Sequence, residues 1–469
     1  MPKRIILLLD GTWNDSDFGA QDTNIVRIRD IIARSLWSEN DELDVASTGP
    51  LPTQAGSNGG ATPSSPGPVV AKTFANVSNI VFYERGVGTG AFLDSFFGGA
   101  MGKGLSRNIR RAYKFLSFHY QPGDQVFIFG FSRGAFTARS LVGYIHAAGL
   151  LKRDDCTPEL EQKAWEFYRC SPNDRLPGIW SSLTPYVHDR GKLRIACLGV
   201  FDTVGSLGIP FRQFQVLNRD TYEFHDVELC AIADVNLHAI AIDEQRQPFE
   251  PSLWRRSKFK KFKTAVEQVW FPGAHADVGG GYVDEERRSK ERLDALDDLP
   301  LDWMLKRVKH YFPDFPVSES GWPGLSAELV RKNALSAQHQ SRTGFYFVWP
   351  RAFRSLNNLA VECRRIPFLK SFSEVNVGRD RHEEPTDEMV HVSALQRWQS
   401  DISVDGGQRQ YSPKNLRTVM ARICATYDGG DNLLPIVDWD GFPLDPQSPE
   451  GKQKALAYLK DIISSARQQ

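Results

Sequence analysis

One serine of the chain lies between two glycines at a predicted strand-to-helix junction. The pentapeptide GFSRG, residues 130–134, follows the apolar run QVFIF and precedes the helical pattern AFTARSLVGYI. This setting is typical of a nucleophile elbow, in which a strained turn presents the serine and small neighbours allow close backbone approach. We therefore predict that Ser132 is a nucleophile and that the backbone N–H of Arg133 donates to an oxyanion. The alternative is a tight turn in which the serine only caps the helix.

A serine nucleophile needs a general base and a carboxylate that orients the base. When the serine sits on such an elbow, the order along the chain is serine, then Asp or Glu, then His. Asp202 follows the apolar run LRIACLGVF, and His275 follows TAVEQVWF in the turn GAHADVGGG. We predict that these two residues complete a triad with Ser132. Asp277 is the alternative acid.

Other histidines are weaker candidates for the base. His119 and His146 fall within helical patterns, where a surface or packing role is favoured. Three further histidines lack the setting of a strand followed by a turn, namely His225, His238 and His391.

The first apolar run, Ile5–Leu9, ends in the turn DGTWN. A backbone N–H of Gly11 or Thr12 is the predicted second oxyanion donor, because the turn ends a strand of the same sheet as the serine. The turn also resembles the loop of phosphatases with an aspartate nucleophile, but Leu8 occupies the position of that nucleophile. A glycine turn without a catalytic role is the alternative.

No cofactor and no metal are predicted. The stretches GVGTG and GGAMGKG depart from the spacings G-x-G-x-x-G and G-x-x-x-x-G-K-[ST] that bind nucleotides. The six cysteines include no C-x-x-C pair, so neither a zinc site nor a disulfide framework is expected.

The elements that position these side chains alternate along the chain. Short apolar runs predict the buried strands Ile5–Leu9, Ile80–Tyr83, Gln125–Phe129, Leu193–Val200 and Ala265–Phe271. Helical patterns are found at Asn24–Leu36, Leu105–His119, Ala135–Ala148 and Leu160–Tyr168. Such alternation predicts an α/β fold, with a mostly parallel sheet and helices on both faces. The polar turns follow the carboxyl ends of the strands, where sites on these sheets form.

The chain is predicted to divide near residue 315. Residues 1–315 form the catalytic core, interrupted at 47–69 by a segment rich in Pro, Gly and Ser that we expect to be disordered. Residues 316–469 are predicted to form a C-terminal extension that packs on the core and could cover the site. Within them, the charged stretch Arg379–Glu388 is predicted to be a solvated loop. An independent second domain is the alternative.

Composition limits the class of protein. The chain has 469 residues, with 57 Lys and Arg against 57 Asp and Glu, which argues against a nucleic-acid-binding protein. Every apolar run is shorter than the roughly 18 residues that a membrane-spanning helix needs. The start MPKRIILLLD has too short an apolar core for a signal peptide. We expect a cytoplasmic protein, unless a specialised secretion system exports it.

Seven motifs together resemble a known family. They are DGTWN, YERGVGTG, QPGDQVFIFGFSRGAFTAR, FDTVGS, GAHADVGGGY, HVSAL and YSPKNL. In combination they are similar to the catalytic domain of type VI secretion phospholipase effectors of the first lipase effector family. The resemblance implies an α/β-hydrolase fold and a Ser–Asp–His triad, whose members fall on Ser132, Asp202 and His275.

The resemblance also implies hydrolysis of carboxylic esters in phospholipids or other lipids through an acyl-enzyme. The expected partners are a lipid or small ester substrate and, in passing, a membrane surface, with no nucleic acid. Two other functions stay open. One is a hydrolase-fold protein that binds a lipid or a partner without catalysis, and the other is a serine hydrolase of peptides or thioesters.

Overall fold

A computed structural model describes most of the chain. The described residues are 2–11, 22–36, 70–74, 77–86, 100–170, 174–204, 229–255, 264–282, 295–366, 373–378, 387–430 and 433–466. The predicted insertion at 47–69 and the oxyanion candidate Thr12 lie outside these ranges.

The strands form one large sheet and two small ones. In chain order they are β1 (Lys3–Leu9), β2 (Val70–Phe74), β3 (Val77–Glu84), β4 (Gln125–Phe131), β5 (Ile195–Phe201), β6 (Ala233–Ala241), β7 (Ala265–Phe271), β8 (Arg351–Arg354), β9 (Glu374–Val377), β10 (Glu388–His391), β11 (Asp401–Val404), β12 (Gly407–Gln410) and β13 (Ile436–Val437). The large sheet has nine described strands in the order β13-β10-β7-β6-β5-β4-β1-β3-β2. Within it every neighbouring pair is parallel except β2 with β3.

Helices cover both faces of the large sheet. They are α1 (Asn24–Leu36), α2 (Ala100–His119), α3 (Arg133–Ala148), α4 (Pro158–Arg169), α5 (Pro177–Leu183), α6 (His275–Gly279), α7 (Asp298–Tyr311), α8 (Ala327–Ala334), α9 (Val392–Arg397), α10 (Lys414–Tyr427) and α11 (Pro449–Ala466). Successive side chains of a strand point to opposite faces. Ile5 and Leu7 of β1 accordingly belong to the apolar cluster that includes residues of α2 to α5, whereas Ile6 and Leu8 belong to the cluster that includes residues of α1 and α7 to α11. The predicted α/β fold with a mostly parallel sheet is confirmed.

Strand β6 is absent from the sequence prediction because polar residues interrupt its apolar run. The side chains of Asn236 and His238 are buried against the sheet, and each has a hydrogen-bond partner. Asn236 Nδ2 donates to Thr264 Oγ1 at 2.8 Å, and His238 Nε2 accepts from the N–H of Thr203 at 3.2 Å. These hydrogen bonds offset part of the cost of burying polar side chains in a strand.

The part of the chain after residue 315 also contributes to the large sheet. Strand β10 pairs with β7, and β13 pairs with β10. The prediction of a solvated loop at Arg379–Glu388 is wrong for its last residue. Glu388 begins β10 and is buried, and its carboxylate accepts a hydrogen bond from Trp270 Nε1 at 2.7 Å. No helix among the described residues has the length and apolar character that crossing a bilayer would require.

Candidate active site

Ser132 occupies a strained turn between β4 and α3. Its backbone has φ 56° and ψ −120°, a region that non-glycine residues rarely adopt and that costs about 1–3 kcal/mol. The Ser132 N–H donates to the carbonyl of Phe201 at 3.1 Å, and its own carbonyl accepts from the N–H of Phe136 at 3.2 Å. These bonds tie the turn to the end of β5 and to the first turn of α3, so the neighbouring structure maintains the strain.

Close backbone contacts require both glycines of the turn. A Cβ on Gly130 would lie 2.6 Å from the carbonyl oxygen of Gly134, and a Cβ on Gly134 would overlap the carbonyl oxygen of Leu9. Backbone atoms cannot move aside as the end of a flexible side chain can. A larger residue at either position would therefore push the serine turn away from β1 or from α3.

His275 lies between the side chains of Ser132 and Asp202. Its Nε2 is 2.8 Å from Ser132 Oγ, and its Nδ1 is 2.5 Å from Asp202 Oδ2. The exposed fractions of Ser132, Asp202 and His275 are 8%, 0% and 2%, so water competes little for these contacts. The ends of β4, β5 and β7 bring the three residues together. In this arrangement Nε2 can accept the hydroxyl proton while Nδ1–H donates to the carboxylate.

Asp202 has a further partner, Arg354, at the end of β8. The guanidinium donates through Nη1 to Oδ1 at 2.5 Å and through Nη2 to Oδ2 at 2.9 Å. The N–H of Ala241 also donates to Oδ1, at 2.9 Å. Burial opposes ionisation of Asp202, but the charge of Arg354 and the hydrogen bonds from His275 and Arg354 outweigh burial and lower its pKa. Asp202 is therefore held as a carboxylate.

The backbone and the ring of His275 are held from other sides. Its N–H donates to Glu244 Oε2 at 3.2 Å, and Glu244 forms a buried ion pair with Arg246. The centroid of its ring lies 4.7 Å from that of Phe131 and 5.0 Å from that of Phe249. Burial lowers the pKa of His275, although its carboxylate partner acts to raise it. The imidazole is thus neutral near neutral pH, which is the state that a general base needs.

The predicted oxyanion donors differ in their positions. Arg133 is the first residue of α3 and follows the serine directly. Gly11 also lies close, since a Cβ on it would be 3.4 Å from Ser132 Cβ. Its N–H, however, donates to Asp10 Oδ1 at 2.7 Å. With Thr12 outside the described residues, the second oxyanion donor stays a prediction.

The remaining candidates for acid and base have other settings. Asp277, the alternative acid, pairs with His339, whose Nδ1 is 2.7 Å from Asp277 Oδ1. His238 and His391 are fully buried, and burial lowers the pKa of each to about 3. His225 lies outside the described residues. Within the described part of the chain, no three His, Cys, Asp or Glu side chains are grouped so that they could hold a metal ion.

Sequence reasoning missed Arg354 and the pair of Glu244 with Arg246. Arg354 is 152 positions from Asp202, in a segment without a long apolar run or a recognisable turn motif. No local spacing relates the two residues. The only sequence sign is an arginine next to the apolar residues of a short strand, and most such arginines lie at the surface.

Comparison with known proteins gives one family match, one curated relative and two solved structures that cover different shares of the chain. Residues 3–307 match the family described as T6SS, phospholipase effector Tle1-like, catalytic domain. The chain is also similar to the uncharacterized protein YEL023C of Saccharomyces cerevisiae, at 29% identity over an alignment of 197 positions that covers 36% of this chain and 26% of that protein. The chain thus spans about a quarter of the length of this curated relative.

Two solved structures are similar to the chain at 17% sequence identity. An uncharacterized protein from Pseudomonas aeruginosa matches 71% of this chain and 50% of that protein, with a TM-score of 0.37. The Tle1 effector bound to the VgrG spike of the type VI secretion system matches 60% of this chain and 51% of the effector, with a TM-score of 0.28. The chain spans about half of each structure, and TM-scores this low establish no common arrangement of the site.

Proposed function

The chain belongs to the family of type VI secretion phospholipase effectors with a Tle1-like catalytic domain, and on this basis we propose that it is a serine hydrolase of carboxylic esters in phospholipids or other lipids. The observation that most supports this proposal is the pair of contacts of His275. Its two ring nitrogens lie 2.8 Å from Ser132 Oγ and 2.5 Å from Asp202 Oδ2. A buried serine, imidazole and carboxylate in this order form the arrangement that acyl transfer needs.

In the proposed mechanism, His275 Nε2 takes the hydroxyl proton while Ser132 Oγ attacks the carbonyl carbon of the ester. The carbonyl oxygen becomes an oxyanion, which the N–H of Arg133 would bind together with that of Thr12, or with that of Gly11 once its bond to Asp10 Oδ1 breaks. The imidazolium then gives its proton to the leaving alcohol, and an acyl-enzyme remains. Water, deprotonated by the same imidazole, then attacks the acyl carbon. The bond from this carbon to Ser132 Oγ breaks, the imidazolium returns its proton to Oγ, and the carboxylic acid leaves.

The proposal includes residues 316–469 as an extension of the catalytic unit. The bonds of Arg354 to Asp202 support this, and so do the strands β10 and β13 in the large sheet. Family membership further supports export by a type VI secretion system as the route to the substrate. A lipid substrate would bring the protein into transient contact with a membrane surface.

The test compares the wild type with Ser132→Ala and with a matched control, Ser117→Ala, on short p-nitrophenyl esters and phospholipid vesicles. Ser117 is fully buried on α2, away from the triad. We expect Ser132→Ala to lower kcat by roughly a thousandfold or more, and we expect the control to retain wild-type activity. Equal activity of the wild type and Ser132→Ala would overturn the mechanism.

A fluorophosphonate probe separates the alternative functions. Covalent labelling of the wild type but not of Ser132→Ala would support a reactive serine. Absence of labelling in the folded wild type would favour the non-catalytic alternative, a protein that binds a lipid or a partner. Labelling together with hydrolysis of peptides or thioesters, and not of phospholipids, would redirect the proposal to those substrates.

A further inference from the structure

Arg354 comes from a part of the chain beyond the residues 3–307 that match the family, yet it contacts the predicted catalytic acid. Its side chain is 0% exposed, as is that of Asp202. Besides its two bonds to Asp202, the guanidinium donates to the carbonyls of Ala241 at 2.9 Å and Phe249 at 2.8 Å. A buried planar group with four fixed acceptors has one orientation, so it can determine the orientation of the carboxylate that it contacts.

The carboxylate of Asp202 is saturated with hydrogen-bond donors. Oδ1 accepts from Arg354 and from the N–H of Ala241, and Oδ2 accepts from Arg354 and from His275. Four donors match the roughly four acceptor sites of an ionised carboxylate. Rotation of the carboxylate would break several of these bonds at once. Oδ2 therefore stays directed at Nδ1 of the imidazole, which keeps Nε2 as the acceptor nitrogen.

The strand that carries Arg354 is joined to the segment that holds the base. The N–H of Ala352 in β8 donates to the carbonyl of Gln245 at 2.9 Å. The preceding residue, Glu244, accepts the backbone N–H of His275 at 3.2 Å. Residues 244 and 245 thus connect β8 to the backbone of His275. The C-terminal region contacts both the acid and, through one segment, the base.

We propose that Arg354 is a positioning residue for the reaction, which fixes the orientation of Asp202 and supplies the positive charge that the buried carboxylate would otherwise draw onto His275. This inference rests on the proposed function, because it takes His275 as the general base. With Arg354 present, the charge of Asp202 is already balanced, and a second cation on the imidazole is disfavoured. Without it, the imidazolium would balance the buried anion, and imidazolium cannot accept the serine proton.

Among the described residues, the other charged groups around His275 have opposite charges. Glu244 and Arg246 are bonded through Oε1 and Nε and through Oε2 and Nη2, each at 3.0 Å, so their charges largely cancel. His238, whose ring accepts from the backbone next to Asp202, is neutral because burial lowers its pKa to about 3. Replacement of Arg354 by a neutral residue therefore removes the cation that is bonded to Asp202.

The test uses Arg354→Met, Arg354→Lys and a matched control, Arg397→Met, in the full chain. Arg397 is also 0% exposed, but it donates to the carbonyls of Ala334 and Ser336. The assays are kcat and kcat/KM on a p-nitrophenyl ester between about pH 5 and pH 9, where histidine titrates. Thermal unfolding of each variant is measured in parallel.

We expect Arg354→Met to move the acidic limb of kcat/KM upward by about one pH unit and to lower kcat by roughly a hundredfold. Arg354→Lys keeps the charge but not the two-pronged contact, so its limb should stay at the wild-type pH while kcat falls by roughly tenfold. The control should unfold at a lower temperature without any movement of the limb.

Two outcomes would overturn the inference while the proposed function stands. One is an unmoved limb in Arg354→Met when hydrolysis by the wild type depends on Ser132. The other is wild-type kcat in Arg354→Lys, and this variant decides the question if Arg354→Met does not fold. Absence of hydrolysis that depends on Ser132 in the wild type would instead overturn the proposed function, and the inference with it.

Discussion

Two histidine–carboxylate pairs meet on one short helix, because α6 contains both His275 and Asp277. His275 Nδ1 is 2.5 Å from Asp202, and His339 Nδ1 is 2.7 Å from Asp277. Both contacts join the Nδ1 of a histidine to a carboxylate oxygen of an aspartate, and they have nearly the same length. Their surroundings differ, and those surroundings decide which imidazole is suited to accept a proton.

The histidine of the first pair has a lowered pKa, whereas the histidine of the second pair has a raised pKa. Burial lowers the pKa of His275, and the charge of Arg354 lowers the pKa of Asp202 in spite of its burial. In the second pair, burial raises the pKa of Asp277. Although partial burial opposes it, the bond to Asp277 raises the pKa of His339. Full burial of His275 and a cation bonded directly to its carboxylate partner distinguish the first pair from the second.

The far side of each imidazole differs as well. Nε2 of His275 faces the hydroxyl of Ser132, and the ring is 2% exposed. The side chain of His339 is 38% exposed, and its ring stacks on Tyr282 with the centroids 3.8 Å apart. A contact between histidine and a carboxylate is therefore not enough to propose a catalytic base. The proposal for His275 also depends on its burial, on the cation bonded to Asp202 and on the hydroxyl at Nε2.

Replacement of each histidine by alanine should separate the two pairs most strongly. His275→Ala removes the proposed base, so kcat should fall by roughly ten-thousandfold or more. His339→Ala removes a partly exposed pair, so kcat should change by less than about threefold. The measurement is kcat on a p-nitrophenyl ester, with circular dichroism to verify that both variants fold. A comparable loss in the two variants would show that both pairs serve the reaction.

Replacement of each aspartate by asparagine should also lower kcat to different extents in the two pairs. Asp202→Asn presents an amide to the imidazole, which favours the wrong tautomer, and it leaves the Arg354 charge unpaired. We expect kcat to fall by roughly a hundredfold to ten-thousandfold and the free energy of unfolding to fall by about 3 kcal/mol. Asp277→Asn keeps an oxygen that can accept from the N–H of Ala274, which now donates to Asp277 Oδ2 at 2.8 Å. Its kcat should stay within about fivefold of the wild type.

Turnover at substrate saturation and denaturant unfolding measure these two effects separately. An Asp202→Asn variant with wild-type kcat would remove Asp202 from the proposed mechanism. A large loss of kcat in Asp277→Asn would instead promote Asp277, the alternative acid of the sequence prediction.

The sequence predicts the triad because its signals are local. The turn around Ser132, and the turns that follow β5 and β7, each come directly after an apolar run, and the order of such strands in a parallel sheet places their ends side by side. Strand β6 escapes prediction because Asn236 and His238 find partners only across the folded sheet. Arg354 escapes for a stronger reason, since its contact with Asp202 depends on β8 lying against Gln245. That pairing is long-range and leaves no periodic pattern in the sequence.

The pH dependence of activity should also distinguish the two histidines, with a smaller effect than the substitutions above. The pKa of His275 is lowered from its ordinary value of 6.5, so more than half of the imidazole is neutral at pH 6.5. We therefore expect kcat/KM to fall to half of its maximum at a pH below 6.5. His339→Ala should leave this midpoint unchanged. A midpoint above pH 6.5, or one that moves in His339→Ala, would contradict the assignment of His275 as the base.

Protonation of the two histidines should change the free energy of unfolding by a small amount, with opposite signs in the two pairs. The folded pKa of His339 is raised above 6.5, so the stability from its charged form is fully present below 6.5 and is lost as pH rises through the folded pKa. For this partly exposed group the contribution is less than about 1 kcal/mol. The folded pKa of His275 is lowered below 6.5, so stability is lost as pH falls from 6.5 through the folded value.

Histidine ring signals in an NMR titration measure both pKa values directly, with His275→Ala and His339→Ala as the controls that assign them. We expect the two values on opposite sides of 6.5, the ordinary value for both groups. Asp277→Asn should bring the pKa of His339 down towards 6.5, because the amide carries no charge to stabilise the imidazolium. If both histidines have pKa values on the same side of 6.5, then the cation bonded to Asp202 does not distinguish the two pairs. The contact between histidine and carboxylate would then shift the histidine pKa in the same direction with and without that cation.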